Sequence, residues 1–424
     1  MTTLSRHQAL LRSLGPGMLM AGAAVGVSHL VQATRAGAEY GFLLLGLVLL
    51  VCALKYPFLE YGPRFAAATG QSLLEGYRRL GRWAISLYAL ITVGTMFAIL
   101  ASVTVVTAGL AGRLFPLDLS TTQWSAIILT SCGLILLLGR FRGLDLSMKL
   151  IMGLLAILTL AAVCLALASP ETWLERPADP PLSSLWTNAG IAFLLALMGW
   201  MPIPLDVAAW HSLWTQERSR NTGHAPSLRH ALLDFKIGYL GATLLAAGFL
   251  VLGATVMYGS GQALSGDGVA FSGQLASLYG QTLGSWSTPL ILFAAFVVMF
   301  STTLAVSDAY PRVLSALSGM LRPGLDQASR LHGGCFLLVG AGALAVIHYF
   351  GQAFTLLVDF ATTVSFLSAP LLAWLNYRVV TSRIMPKDCQ PGPFLRVLSW
   401  LGILFLTGFS LLWLIWRLGW VGSA

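Results

Sequence analysis

Charge is what this chain has least of. Only 10% of its 424 residues are Asp, Glu, Lys or Arg, where soluble globular proteins carry about 25%. That leaves too little polar material to coat a core of this size, which excludes a water-soluble enzyme. Cysteine is scarce as well. Cys52, Cys132, Cys164, Cys335 and Cys389 stand apart, with no CxxC pair, which argues against a disulfide framework or a thiolate metal site. There is no GxSxG, no HExxH and no nucleotide-loop lysine after a glycine run, so no enzyme motif applies and no cofactor is expected. The formal net charge is +9, but no basic face carries interleaved aromatics, so nucleic acid is not expected as a partner. No small-residue cleavage site follows the first apolar segment, and a removable signal peptide is not expected.

Apolar length is what the sequence has in excess. Hydrophobic residues make up 57% of the chain and the mean hydropathy is +0.79. Apolar runs of about 20 residues recur from end to end, each long enough to cross about 30 Å of hydrocarbon. Spans are expected at 14–34, 41–57, 83–110, 121–139, 148–168, 186–213, 237–259, 287–310, 331–351, 354–377 and 396–418. The chain therefore reads as an all-α polytopic membrane protein of eleven helices, one transport domain over 1–424, with the lipid bilayer as its solvent.

Orientation follows from Lys and Arg. With the N-terminus inside, only Arg35, Arg113, Arg176 and Arg417 of the 25 basic residues fall on the outer side. The inner side receives the rest, Arg6, Arg12, Lys55, Arg64, Arg78, Arg142, Lys149 and Arg322 among them. The imbalance predicts a cytoplasmic N-terminus and an outer C-terminus in a plasma (inner) membrane.

Two spans differ from the others. The first contains Gly22-Ala-Ala-Val-Gly26-Val-Ser28-His29, and the sixth Gly199-Trp-Met201-Pro202-Ile-Pro204-Leu-Asp206. Prolines two residues apart remove two backbone donors, so an unbroken helix is not expected there. Freed backbone at membrane depth is tolerated where protein buries it or where it lines a cavity. Interruptions at equivalent places in two five-helix halves mark a transporter's binding site. The halves are 14–168 and 186–377, with 396–418 as an extra helix. An odd number of spans per half inverts the second relative to the first. Ordinary packing kinks are the alternative reading of each interruption taken alone.

Gly15-Pro16, Ala36-Gly37-Ala38-Glu39-Tyr40-Gly41, Ala66–Gln71, Leu73–Tyr77, Arg142–Lys149, Met201-Pro202 and Asp234 together resemble the Nramp divalent-metal transporters, in order and spacing, over nearly the whole chain. The resemblance implies an inverted-repeat transporter fold of the amino-acid/sodium symporter type and, usually, proton-coupled uptake of Mn²⁺ or Fe²⁺. It also implies metal ligands at an Asp-Pro-Gly-Asn motif in the first helix and a Met-Pro-His motif in the sixth. Those positions fall on Gly26-Val27-Ser28-His29 and Met201-Pro202-Ile203. Of the ligand side chains only Met201 is kept, with His29 in place of Asn. The acidic pair that the family carries in its third helix is absent from Met96–Gly109.

The substrate site is expected between the first and sixth spans, at Gly26, Ser28, His29, Met198, Met201, Pro202 and Thr362. A hard divalent ion wants a carboxylate, and none is present. His29 and Met201 form a softer pair that suits a transition metal, while a neutral or anionic solute suits a site without negative charge. His29 reads either as a site residue or as an imidazole bonded to freed carbonyls, and Met201 either as a ligand or as core. Ser28 and Gln32 are equally readable as interhelical contacts. Asp206, His211 and Asp359 are the candidates for proton transfer or gating, Asp206 being also readable as a half-helix acid facing the dipole. Arg35 with Glu39, and Asp308 with Arg312, are expected ion pairs at helical spacing. The reading is a secondary active transporter working by alternating access, not an enzyme, with protons as candidate coupling ion and a divalent metal of the Mn/Fe type as the family's default substrate. The alternatives are transport of a non-metal or anionic solute, or a channel or sensor that kept the fold.

Overall fold

The computed structural model describes residues 15–138, 140–168, 177–259, 273–274, 277, 280, 284, 286–321, 328–350 and 354–418. Arg6, Arg12, Arg176, Arg322 and most of the Gly/Ser-rich segment 259–284 lie outside the described residues. Within them the chain is helical, without strands. The helices in order are α1 (Pro16–Ala24), α2 (Ser28–Tyr40), α3 (Leu45–Thr69), α4 (Leu73–Leu80), α5 (Arg82–Leu114), α6 (Thr121–Leu138), α7 (Arg140–Ala168), α8 (Asn188–Trp200), α9 (Val207–Thr222), α10 (Leu228–Leu252), α11 (Ser287–Leu321), α12 (Ala328–Phe350), α13 (Phe354–Thr381) and α14 (Pro393–Arg417).

Among the described residues, α3, α5, α10 with its π-helical extension, α11, α12, α13 and α14 are long and apolar enough to cross a membrane. The bent pair α1–α2 makes an eighth. The expected eleven would also need α6, α7 and the α8–α9 pair. Taken alone, α8 has 13 residues and reaches only about 20 Å at 1.5 Å per residue, less than a hydrocarbon core.

Helix ends are closed by side chains where backbone donors run out. Ser72 and Glu75 form a capping box at α4, and Thr187 and Ser227 cap α8 and α10. At α1 the cap comes from a distant element, the Asp234 carboxylate in α10, which accepts from the N–H of Gly15 at 3.0 Å and of Gly17 at 2.7 Å. This ties the start of the first helix to α10.

Packing sets α5 against α11 and α13, α10 against α1 and α3, α9 against α3, and α8 against α13, while α12 and α14 are mostly uncovered at the edge. The second span runs further than the sequence reading allows. α3 continues to Thr69, so Lys55 and Arg64 are inside a helix and not in an inner loop. Glu60 makes this tolerable. It holds Arg64 at 2.5 Å across one helical turn, and the paired charges can stay in the span. Lys55 is fully buried.

Candidate functional site

The first break lies between α1 and α2, whose axes differ by 44°. No proline is needed. Gly26 lets α11 approach so closely that a Cβ there would stand 2.7 Å from Thr302 Cγ2. Thr302 Oγ1 donates to the Gly22 carbonyl at 2.7 Å, taking up an acceptor that the interrupted ladder leaves. The chain resumes as a π-helix over Ser28–Ala33, and the Ser28 hydroxyl lies 2.6 Å from the Ala24 carbonyl.

His29 is buried on this side of the site. Its Nε2 sits 2.8 Å from the Ala242 carbonyl of α10 and its Nδ1 2.8 Å from Ser28 Oγ. A carbonyl only accepts, so Nε2 carries the proton of that bond. Both ring nitrogens are therefore engaged, and a metal at Nε2 would first have to displace Ala242.

The second break is wider. α8 stops at Trp200 and α9 starts at Val207, leaving 201–206 outside both helices, with a cis peptide between Met201 and Pro202. Gly199 is pressed against α13, where a Cβ would fall 2.0 Å from the Thr362 carbonyl oxygen. The Thr362 hydroxyl itself bonds within its own helix, to Val358 at 2.8 Å. Trp200 Nε1 donates to Ser365 at 3.0 Å, a second tie to α13.

The carbonyls that α8 leaves unpaired are held by a lysine side chain. Lys55 Nζ donates to Met198 at 3.2 Å and to Gly199 at 3.0 Å. A helix C-terminus carries partial negative charge, so an ammonium is favoured there. Met201 is fully buried beside this end, and Asp206 is nearly so. Asp206 makes no side-chain cap bond to α9.

The expected site residues thus fall into groups. Met198, Met201 and Pro202 belong with Thr362, Lys55 and Asp206 around the second break. Gly26, Ser28 and His29 belong with Thr302 and Ala242 around the first. Among the described residues no hydrogen bond joins His29 to the second group. His211 is buried within α9 with both ring nitrogens unpartnered, its ring 5.9 Å from that of Phe235.

Asp359 stands at the far end of α2, where Arg35 holds it at 3.0 Å and Gln32 Nε2 donates to it at 3.1 Å. The expected pair Arg35–Glu39 is present at 3.5 Å, but the closer partner of Arg35 is Asp359. At the opposite end of the bundle Arg312 pairs with Asp308 at 2.7 Å, as its spacing predicts, and with Glu217 of α9 at 3.2 Å. Trp214 of α9 donates to the same Asp308 at 2.9 Å. Each of these ion networks links one half of a broken helix to a neighbouring helix.

Two residues at the breaks were not singled out from the sequence. Lys55 looks like a positive residue at a span's end, and Thr302 like one hydroxyl among several. A lysine inside an apolar run that continues past Pro57 was the available signal for Lys55. Among the described residues no group of three or more His, Cys, Asp and Glu is placed to hold a metal ion.

The family model described as natural resistance-associated macrophage protein-like matches residues 17–416. An uncharacterized protein of Pasteurella multocida is 37% identical over 410 residues, 96% of this chain and 93% of that one. Among solved structures, a manganese transporter of Eremococcus coleocola, in complex with an aromatic bis-isothiourea compound, superposes with a TM-score of 0.73 at 17% identity. That alignment covers 97% of this chain and 88% of that one. MhsT in complex with L-phenylalanine gives 0.66 at 15% identity, covering 93% and 98%. The two structural likenesses establish the fold.

Proposed function

Because the chain belongs to the natural resistance-associated macrophage protein-like family, we propose that it is a secondary transporter for a metal cation, working by alternating access across eleven spans in two inverted halves. The substrate lies between the breaks of α1–α2 and α8–α9. The observation that carries this reading is the end of α8, where two carbonyls inside the membrane are held by a cation and not by backbone donors. Broken helices at midplane present such carbonyl ends to cations.

The donors at hand are the Met198 and Gly199 carbonyls and the Met201 thioether. The carbonyls suit a hard ion such as manganese, and the thioether favours a transition ion over magnesium or calcium. The manganese transporter of Eremococcus coleocola shares the fold and supports the same substrate class. With no carboxylate among its ligands, the site holds such an ion weakly, through carbonyl and sulfur contacts. Transport by alternation requires the two end networks to open in turn, Arg35–Asp359 at one end and Asp308–Arg312–Glu217 at the other. Asp206, buried beside the second break and without a cap bond, is the proton carrier in this reading.

The test is uptake of Mn²⁺ into proteoliposomes. Saturable uptake that concentrates the ion and responds to a proton gradient is expected. Flux that neither saturates nor concentrates would make the protein a channel, and the absence of Mn²⁺, Fe²⁺ or Co²⁺ flux would remove metal transport. His29→Ala is expected to leave Mn²⁺ affinity within about twofold, since its Nε2 already serves Ala242.

A further inference from the structure

Lys55 is fully buried and holds the two carbonyls at which the proposed substrate cation binds. A lone charged side chain inside a membrane protein is costly and marks function. Burial of an unpaired charge is offset only by hydrogen bonds and opposite charge. Lys55 has two hydrogen bonds, both to carbonyls at the end of α8. An ammonium has three N–H donors, so one is left without a partner among the described residues. No carboxylate forms an ion pair with it there. The arrangement is that of a bound cation that happens to be attached to the chain.

We infer that the Lys55 ammonium is a tethered cation that occupies the carbonyl end of α8 while the site holds no substrate, and yields those carbonyls to the incoming metal ion. The inference rests on the proposed substrate site between the two breaks. Like charges cannot share the Met198 and Gly199 carbonyls, so metal and ammonium exclude one another. The receiving position is Asp206, which follows the same break, is buried and spends no side-chain bond on capping α9. When the metal enters, the ammonium turns from the carbonyls toward that carboxylate. When the metal leaves, it returns. The empty carrier therefore never exposes bare carbonyls to the bilayer interior, which would cost free energy for each unsatisfied group. Lys55 in this account lowers affinity for the substrate and supports the return of the empty transporter.

A fixed prop predicts something different. An ammonium that never leaves would stabilise the fold, and its removal would not tighten metal binding.

The experiment compares wild type with Lys55→Met, Lys55→Gln and Lys55→Arg, each shown monodisperse by gel filtration. Calorimetry with Mn²⁺ is expected to give at least about tenfold tighter binding to the Met and Gln variants, while Lys55→Arg, still cationic, binds no better than wild type. In proteoliposomes the Met variant is expected to keep Mn²⁺-for-Mn²⁺ exchange and to lose net uptake about tenfold, because only net uptake needs the empty carrier to return. Equal Mn²⁺ affinity in wild type and both neutral variants overturns the inference and leaves the transport reading standing. So does failure of both neutral variants to fold, which makes the ammonium a structural prop. Binding of inorganic phosphate or acetate by wild type that is lost in Lys55→Met overturns it in favour of an anion site. No binding of Mn²⁺, Fe²⁺ or Co²⁺ by wild type or any variant overturns the metal reading and the inference together.

Discussion

The two breaks differ in how their freed carbonyls are satisfied. In the first, a neutral hydroxyl from a neighbouring helix does it: Thr302 bonds Gly22, and the ladder resumes within a few residues as a π-helix. In the second, six residues stay outside either helix and the carbonyls face an ammonium. A hydroxyl contributes a dipole and is a permanent part of the packing. An ammonium is a whole charge, and another cation can take its place. The first break is therefore the fixed wall of the site, and the second is its exchangeable face.

The largest effect is expected where the second break is pressed against backbone. Gly199→Ala puts a methyl group 2.0 Å from the Thr362 carbonyl oxygen, and that atom cannot swing aside. The cost is about 3 kcal/mol or more, read as a steep fall in thermal unfolding temperature or loss of folded protein. Gly26→Ala meets side-chain atoms of Thr302 instead, at 2.7 Å and 2.9 Å, and is expected to cost about 1–2 kcal/mol. Equal costs would erase the contrast between a close approach to a side chain and one to backbone.

Asp206→Asn comes next and acts on function. It is expected to abolish proton-driven accumulation of Mn²⁺ in proteoliposomes and to weaken calorimetric binding, because the displaced Lys55 ammonium loses the carboxylate that receives it. A variant that still carries protons inward in step with Mn²⁺ would move that role to another group. Thr302→Val removes the hydroxyl that bonds Gly22, with a cost of about 1 kcal/mol and no change in Mn²⁺ affinity. An affinity change there would mean that the first break is not a fixed wall. Smallest of all, Asp359→Asn at the partly exposed Arg35–Asp359 pair is expected to shift stability by under about 1 kcal/mol, measured by thermal unfolding.

Much of this was legible in the sequence. Gly and Pro at the two interruptions announce missing donors, and both breaks lie where those residues predict. Proline alone does not suffice, since Pro57, Pro63, Pro311 and Pro370 all sit inside continuous helices. The pairs Arg35–Glu39 and Asp308–Arg312 follow from i,i+4 spacing. What the sequence hid are partners far apart along the chain. Asp359 meets Arg35 and Gln32 more than 320 residues away, and Thr302 meets Gly22 across 280. Lys55 was hidden for another reason. Arg64 and Glu60 make the second half of α3 look like a loop, because a pair of charges one turn apart neutralises itself only once the helix is formed.

The most direct measurement is anomalous diffraction from crystals soaked in Mn²⁺. The account predicts a manganese peak within ligand distance of the Met198 carbonyl and the Met201 sulfur, with the Lys55 ammonium moved off the end of α8 toward Asp206. A manganese peak elsewhere, with Lys55 still bonded to Met198 and Gly199, would contradict it.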